Sequence, residues 1–425
     1  MFAPFARFET DAPVPGDADT DWAALAAEAV AAAMGADGIR GPVHLNLPLR
    51  EPLSGPLPAV LDAAPGPVPV AAASDAVVLE RGPRTVVIAG ADAGPAAEEV
   101  AYAGSWPLIA EIVSGARYGR LLVHGYRRLL RAEELGGRVE RAVVLGHPTL
   151  SREVAGLLSR TDVEVVAVRR GGEALDLNGR TRAVGAVGVA EGERDRVWLG
   201  AWMEASAAEA VDLSEAAPDQ GGLFSPDPEA RGRAVKAELD AVRRPLDREL
   251  LVDAVWRATW PHDRLLFGSS RLVRVADAVL GGKKVPVHAN RGLAGIDGTV
   301  ATGIGIAVAS QEGGAPGVTR VLLGDVALLH DVGSLLLPAD EPAPRIQVIV
   351  GNDGGGTIFD ALEVAGVAPA SDLDRAFYTP HSADLAALAA AYGWEHRRVT
   401  TRTALDQVLV APVAGPQLIE VPLER

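Results

Sequence analysis

Two short apolar runs, each closed by a polar turn, constrain this 425-residue chain more than any other feature. Residues 318–323 end in Gly324-Asp325. Residues 346–350 end in Gly351-Asn352-Asp353, and Gly354, Gly355 and Gly356 follow. Short continuous β-branched runs bounded by turn residues read as strands buried on both faces of a parallel sheet. Open parallel sheets bind ligands beyond the carboxyl ends of their strands. A carboxylate at 325 and a carboxamide at 352 are offered at such ends. Both are hard oxygen donors, suited to Mg²⁺ or Ca²⁺. The glycines let an anionic ligand approach the backbone and can supply a carbonyl to a metal. A cation held by a few protein oxygens, with phosphate oxygens completing its shell, is the usual Mg²⁺ arrangement. Asp or Asn after a strand is also an ordinary turn former or helix cap. The pairing, 27 positions apart with each residue closing a buried strand, favours the ligand reading.

Composition narrows the function classes. With 56 acidic against 40 basic residues the net charge is −16, which argues against a nucleic-acid or membrane-surface role. An apolar content of 48% indicates a folded globular chain. The absence of cysteine excludes disulfides, thiolate metal sites and a cysteine nucleophile. The opening MFAPFARFET lacks the apolar core of a signal peptide, and no run of 18 uncharged apolar residues occurs. A cytoplasmic location is expected.

The chain divides into α/β units. Residues 1–20 read as irregular, Asp21 as the cap of a helix over 22–34, and 43–47 as a strand. One helix and one strand make no domain alone, so residues 1–55 must pack on something else or be the remnant of a domain whose front is missing, and the Pro/Ala-rich 56–75 read as a linker. A central α/β domain over 76–190 has candidate strands at 85–88, 108–111, 142–145 and 163–168. Its turn Ala89-Gly90-Ala91-Asp92-Ala93-Gly94 only loosely resembles a dinucleotide fingerprint and is read as structural. A connection with some helix covers 191–245. The last unit, 246–425, has a helix at 247–259 and strands at 264–267, 285–288, 318–323, 346–350 and 418–421.

Two more stretches of that unit carry polar chemistry. Phe267-Gly268-Ser269-Ser270-Arg271-Leu272-Val273-Arg274 is a hydroxyl-rich turn at a strand end, where a helix N-terminus can meet an anion. Ser270 and Arg274, four apart, share a helix face. His288-Ala289-Asn290-Arg291-Gly292-Leu293-Ala294-Gly295-Ile296-Asp297-Gly298 follows a strand and precedes a small-residue helix at 299–309. Asp297 is placed to cap that helix. Arg291, in the loop, suits a bidentate contact to a substrate carboxylate, or an ordinary surface ion pair.

The Gly-Asp, helix and loop, then Asn and Gly order resembles the diphosphate-binding motif of thiamine-diphosphate enzymes. NRGLAGIDG, GDVALLHD, GNDGGGTIF, GPVHLNLPLREPL, LGHPTLSREV and WPLIAEIVSG together resemble the 2-succinyl-5-enolpyruvyl-6-hydroxy-3-cyclohexene-1-carboxylate synthase family of menaquinone biosynthesis, over almost the whole chain. The resemblance implies an α/β thiamine-diphosphate-enzyme fold: a partial N-terminal pyrimidine domain, a central domain and a C-terminal diphosphate domain. It implies thiamine diphosphate and Mg²⁺ (or Mn²⁺) as cofactors. It implies 2-oxoglutarate and isochorismate as substrates, with decarboxylation of the first and 1,4-addition of the succinyl carbanion equivalent to the second. Asp325, Asn352 and the Gly354 carbonyl would ligate the metal. Ile296, Val326, Ile358 and Phe359 would join Asp325 and Asn352 around the cofactor, with Ile296 wedging it into a bent shape. Ser270, Arg274, Arg291 and Arg152 would face substrate. His330 and Asp331 match the family's His-Asp pair, with Asp331 read plainly as a helix cap. A homodimer or homotetramer is implied.

The sequence departs from the pattern at two places. Many members have Gly-Asp-Gly where Val326 stands here. The family's N-terminal domain also supplies a glutamate that activates the cofactor. Of the first 55 residues only Glu9, Glu28 and Glu51 are glutamates, and none sits in a matching motif. No catalytic residue is assigned, and the front of that domain is expected to be absent. A second reading follows: a catalytically incompetent truncated paralogue that binds cofactor or partner subunits only.

Overall fold

Three parallel sheet systems follow one another along the chain. The computed structural model describes residues 5–17, 19–36, 40–56, 75–168, 175–214, 217–290 and 295–425. The linker expected over 56–75 lies almost wholly outside the described residues.

Strand β1 (Phe8–Asp11) pairs in parallel with β2 (Val43–Asn46), and helix α1 (Trp22–Met34) joins them. Asp21 caps α1 as expected, accepting the Ala24 N–H at 2.9 Å, and Gly35 closes it with φ +76°. The irregular reading of residues 1–20 is corrected by β1. Its four residues FETD alternate half-buried with exposed positions and carry two acids, too weak a signal for a strand.

The central sheet is built from β4 (Thr85–Ala89), β5 (Leu108–Ala110), β6 (Arg141–Leu145), β7 (Glu164–Val168) and β8 (Arg182–Val184), all parallel, in the order β5-β4-β6-β7-β8. Strands β4 and β6, TVVIA and RAVVL, are buried at every position, which is why 85–88 and 142–145 read as buried runs. Strand β3 (Ala76–Leu79) pairs separately with β9 (Ala186–Val189). The turn after β4 bridges Ala91 to His147 by two backbone hydrogen bonds, so its job is structural, as read. Helices α2 (Ala96–Gly104), α3 (Tyr126–Arg131), α4 (Arg152–Leu158) and α5 (Arg196–Glu209) follow in chain order. Trp198 and Trp202 of α5 pack into the core of this sheet. Helices α6 (Gln220–Leu223) and α7 (Pro228–Val242) lead onward.

The C-terminal sheet has six parallel strands: β10 (Arg264–Phe267), β11 (Val287–Ala289), β12 (Thr319–Gly324), β13 (Ile346–Asn352), β14 (Glu395–Arg398) and β15 (Gln417–Pro422). Their order is β11-β10-β12-β13-β15-β14. On one face pack α8 (Arg248–Ala258), α9 (Arg271–Val279) and α14 (Arg402–Val410); on the other lie α10 (Thr299–Ser310), α11 (Asp325–His330) and α13 (Leu385–Ala391). The short α12 (Ala370–Leu373) precedes a turn over 374–378. Ile112, Val113 and Leu150 of the central unit share one core cluster with α8 and α9, so the two sheets are packed together.

Helix α10 sits close on the sheet because Gly303 has no side chain. A Cβ there would lie 2.3 Å from Val321 Cγ2, in a strand that cannot give way. Gly305, two residues on and on the exposed face of the helix, has open space around it. Gly303→Val should therefore cost about 2–3 kcal/mol by overpacking. Gly305→Ala should raise stability by roughly 0.5–1 kcal/mol through helix propensity. Urea melts of the two variants check the contrast. No helix among the described residues is long and apolar enough to cross a membrane.

Candidate active site

The carboxyl ends of β10, β12 and β13 meet at a cavity of about 630 Å³. β12 ends at Gly324, and Asp325 starts α11 with its side chain 2% exposed. Its Oδ1 accepts the Val326 N–H at 2.8 Å, and its Oδ2 accepts the Gly355 N–H at 2.9 Å. His381 Nε2 also lies 2.9 Å from Oδ2. Burial, and then the charge of Asp353, push the Asp325 carboxyl above the ordinary range; the Val326 N–H and His381 oppose them. Asn352 ends β13. Its Oδ1 accepts the Gly354 N–H at 3.2 Å, and its Nδ2 donates to Glu420 Oε1 at 2.9 Å. The Gly354 carbonyl accepts the His381 N–H at 3.3 Å. A Cβ on Gly355 would lie 2.5 Å from the Tyr378 carbonyl oxygen, so the segment through His381 runs directly against the glycine loop.

The opposite wall is the start of α9. Ser270 occupies the cap position yet makes no capping hydrogen bond, and its Oγ is buried without a protein partner. Arg274 donates to the Ser270 carbonyl at 3.2 Å. Arg271 and Arg248 also line the cavity. Each is matched by an acid, Arg271 by Asp360 at 2.6 Å and Arg248 by Asp353 at 2.7 Å. These pairs pin the segment carrying Ile358 and Phe359 to α8 and α9. Ile296, Val326, Ile358 and Phe359 supply the apolar lining, with Phe359 edge-on to Phe377 at 5.5 Å.

Seven of the sequence-selected residues therefore share one cavity: Ser270, Arg274, Ile296, Asp325, Val326, Ile358 and Phe359. Asn352 and Gly354 are not in its lining but alternate along the chain with Gly351, Asp353 and Gly355, which are. Arg291 lies outside the described residues. Arg152 does not line the cavity; its Nη1 is 3.7 Å from Glu363 Oε1, and both side chains are exposed. The loop that leads to it is held by the fully buried Glu111, which accepts the Thr149 and Leu150 N–H groups at 3.0 and 2.8 Å. The capping role expected of Asp297 is corrected. Gly298 holds the cap position of α10, and Asp331 accepts the Val300 N–H at 2.7 Å. Asp297 pairs instead with His330 Nδ1 at 2.8 Å. A distant acid with better access to the orphan N–H groups displaced the local one. Sequence reasoning missed His381, Glu420, Arg248 and Thr357. Thr357 lies within the GNDGGGTIF motif and Glu420 within the expected strand 418–421, but neither was singled out; His381 and Arg248 sit in no motif position.

The donor set fits a hard divalent cation. It offers a carboxylate, a carboxamide oxygen and a carbonyl, all oxygen. A buried carboxylate whose pKa is raised by burial and a neighbouring acid is also one that a cation would relieve. Among the described residues, at this site or any other, no cluster of three or more His, Asp or Glu side chains could hold a metal, so the donor set here depends on the carboxamide and the carbonyl.

His288, at the edge of this sheet on β11, has a buried Nε2 without a partner. Burial, and then Arg264, lower its pKa. The folded chain thus binds fewer protons than the unfolded one near the ordinary imidazole pKa. Stability is retained above that pKa and falls as pH drops through it. His288→Gln should flatten the loss of melting temperature between pH 7.5 and 5.5.

Comparison with known proteins places this geometry in a family. No family model matches the chain. The chain is 53% identical to the 2-succinyl-5-enolpyruvyl-6-hydroxy-3-cyclohexene-1-carboxylate synthase of Leifsonia xyli subsp. xyli (strain CTCB07), over 99% of this chain and 75% of that protein. It is 49% identical to the synthase of the same name from Clavibacter michiganensis subsp. michiganensis (strain NCPPB 382), over 98% of this chain and 74% of the relative. Among solved structures it resembles benzoylformate decarboxylase from Polynucleobacter necessarius, with a TM-score of 0.60 and 15% identity over 99% of this chain and 76% of that one. That likeness establishes the α/β fold read from the sequence. At half-identity over nearly its full length and three quarters of its relatives', the chain belongs to the 2-succinyl-5-enolpyruvyl-6-hydroxy-3-cyclohexene-1-carboxylate synthase family.

Proposed function

We propose that the cavity between Asp325 and Ser270 is the site at which this chain acts as a thiamine-diphosphate-dependent synthase of menaquinone biosynthesis, decarboxylating 2-oxoglutarate and adding the succinyl unit to isochorismate. The observation that carries the reading is the convergence, across one cavity, of the buried Asp325 carboxylate and the glycine loop with a buried, unpartnered hydroxyl beside an arginine. Asp325, the Asn352 side-chain oxygen and the Gly354 carbonyl would hold Mg²⁺ or Mn²⁺, and through it the diphosphate. Bound thiamine diphosphate supplies the electron sink for decarboxylation and carbon–carbon bond formation. The chain's own residues bind, orient and neutralise. Both substrates are polyanions meeting a chain of net charge −16, so local arginines must override the overall field. Arg248 and Arg271 are already matched by Asp353 and Asp360. We assign substrate carboxylates to Arg274, which lines the cavity beside the Ser270 hydroxyl, and to Arg291 on the resemblance alone. Arg152, beside Glu363, is assigned to the rim. Ile296, Val326, Ile358 and Phe359 exclude water from the reacting face. A homodimer or homotetramer is assigned with the family, and light scattering tests it.

The test is product formation from 2-oxoglutarate and isochorismate with thiamine diphosphate and Mg²⁺, for the parent and Arg274→Ala. Losing a desolvated charge pair costs about 2–5 kcal/mol, so KM for 2-oxoglutarate should rise more than about tenfold. Arg274→Lys should recover only part, because the planar fork is lost. Parent-like kinetics in Arg274→Ala would remove that residue from the substrate site. Decarboxylation without addition to isochorismate would overturn the substrate pair.

A further inference from the structure

A metal site must tell apart the two ends of Asn352. Its carboxamide oxygen can ligate a hard cation; its NH₂ group offers only hydrogens. The two ends are nearly the same shape, so packing does not choose between them. Two neighbours do. The Gly354 N–H faces Oδ1 at 3.2 Å, and Glu420 Oε1 faces Nδ2 at 2.9 Å. Turned over, the side chain would set NH₂ against an N–H and oxygen against a carboxylate. Two repulsions would replace two hydrogen bonds. Glu420 is the stronger of the two partners, because an acceptor carrying charge binds a donor more tightly than a neutral group does.

Glu420 is an unusual residue for its position. It lies on β15 between Ile419 and Val421, both fully buried, and is itself 9% exposed. Burying a carboxylate there is costly unless it is paired. It does not line the cavity, and both its oxygens face neighbouring side chains. Its partners are all at the sheet's carboxyl end. In register it stands between Val350 of β13 and Arg398 of β14. His396 Nε2 lies 3.1 Å from its Oε2, and Arg398 Nε is 3.8 Å from its Oε1. Three neighbouring strands thus pass a fixed hydrogen-bond polarity from His396 through Glu420 to Asn352.

We propose that Glu420 is a positioning residue: it orients the Asn352 carboxamide so that oxygen, and not NH₂, is presented to the metal, while His396 holds Glu420 in place. This rests on the Mg²⁺ reading above. The separate prediction is that metal affinity depends on a residue that never meets the metal.

The probe is Mn²⁺, titrated by electron paramagnetic resonance into the full chain with thiamine diphosphate, with melting temperature followed in parallel. Glu420→Gln leaves an amide facing an amide, a pair satisfied in either orientation. Mn²⁺ affinity should fall about tenfold or more, as for other outer-shell partners of metal ligands. Asn352→Asp alone sets two carboxylates face to face and should also weaken binding. The double variant keeps net charge and hydrogen bond with the polarity reversed, and an aspartate offers an oxygen whichever way it turns. It should recover most of the parent's affinity, which a purely structural role for Glu420 would not produce. If Glu420→Gln fails to fold, His396→Ala asks the same question and should give a smaller loss in the same direction; unchanged affinity there overturns the inference. Parent-like Mn²⁺ binding in Glu420→Gln, or no recovery in the double variant, would overturn the orienting role with the metal reading intact. No Mn²⁺ binding by the parent would overturn both.

Discussion

Asp325→Asn is expected to abolish metal-dependent binding of thiamine diphosphate while leaving the metal-free chain at least as stable as its parent. The two halves have one cause. Asp325 is 2% exposed, and burial with the nearby Asp353 raises its pKa. A carboxyl whose folded pKa lies above its unfolded value binds extra protons in the folded state. Stability is then highest below the unfolded pKa and declines as pH rises through the folded one. At neutral pH the ionised group is a cost that the Val326 N–H and His381 offset only in part and that a cation would relieve. The asparagine keeps an oxygen for the Val326 or Gly355 N–H and drops the charge, so the metal-free variant should melt no lower. It also drops the one anionic ligand proposed. Removing outer-shell partners alone costs about 10–100-fold in metal affinity, so losing the carboxylate should exceed about 100-fold. Calorimetric titration with Mg²⁺ and thiamine diphosphate, beside melts of the metal-free proteins, reads both halves. Retained affinity would remove Asp325 from the metal site; a large drop in melting temperature would mean the carboxylate is a structural anchor instead.

Asp277→Ala should have the largest effect on stability. Asp277 sits on α9, seven residues beyond Ser270, with a fully buried side chain. It accepts the Ile112 N–H at 2.8 Å, the Tyr126 hydroxyl at 2.6 Å and Arg127 at 2.5 Å, and Arg117 stands 3.4 Å away. All four come from the central unit. Arg117 also donates to the backbone oxygens of Asp277 and Leu280 at 3.0 and 2.7 Å, so the helix is clamped through main chain and side chain together. Removing the carboxylate leaves the buried Arg117 and the half-buried Arg127 uncompensated, a loss of about 3–5 kcal/mol. The contrasting pair Arg84–Glu140 is partly exposed, so Glu140→Ala should cost less than about 1 kcal/mol. Urea unfolding of both variants measures the difference. The residual folded Asp277→Ala protein should also show a raised KM for 2-oxoglutarate, since α9 carries Ser270 and Arg274 at its other end. A loss below about 1 kcal/mol would mean that water or a moved side chain replaces the clamp.

Much of this was legible in the chain because burial on both faces leaves a local trace. Strands such as TVVIA, RAVVL and the run before Asp325 are mostly apolar segments, and the polar ends of the runs before Asp325 and Asn352 marked the cavity before any fold was known. Strand β14, EHRR, left no such trace, being an edge strand with three exposed positions out of four. Helix caps within three residues were readable, as Asp21 shows; Asp331 was read as a helix cap, but that the helix is α10, thirty-one residues before it, was not. By itself the sequence determined the α/β class, the parallel sheets, the family and the oxygen donors at 325 and 352. Only the tertiary structure decided who faces those donors. His381 reaches Asp325 across 56 residues, Glu420 reaches Asn352 across 68, and Asp277 reaches Ile112 across 165. Periodicity and turn chemistry are set by neighbours along the chain, whereas the partner of a buried polar group is set by whichever element packs against it.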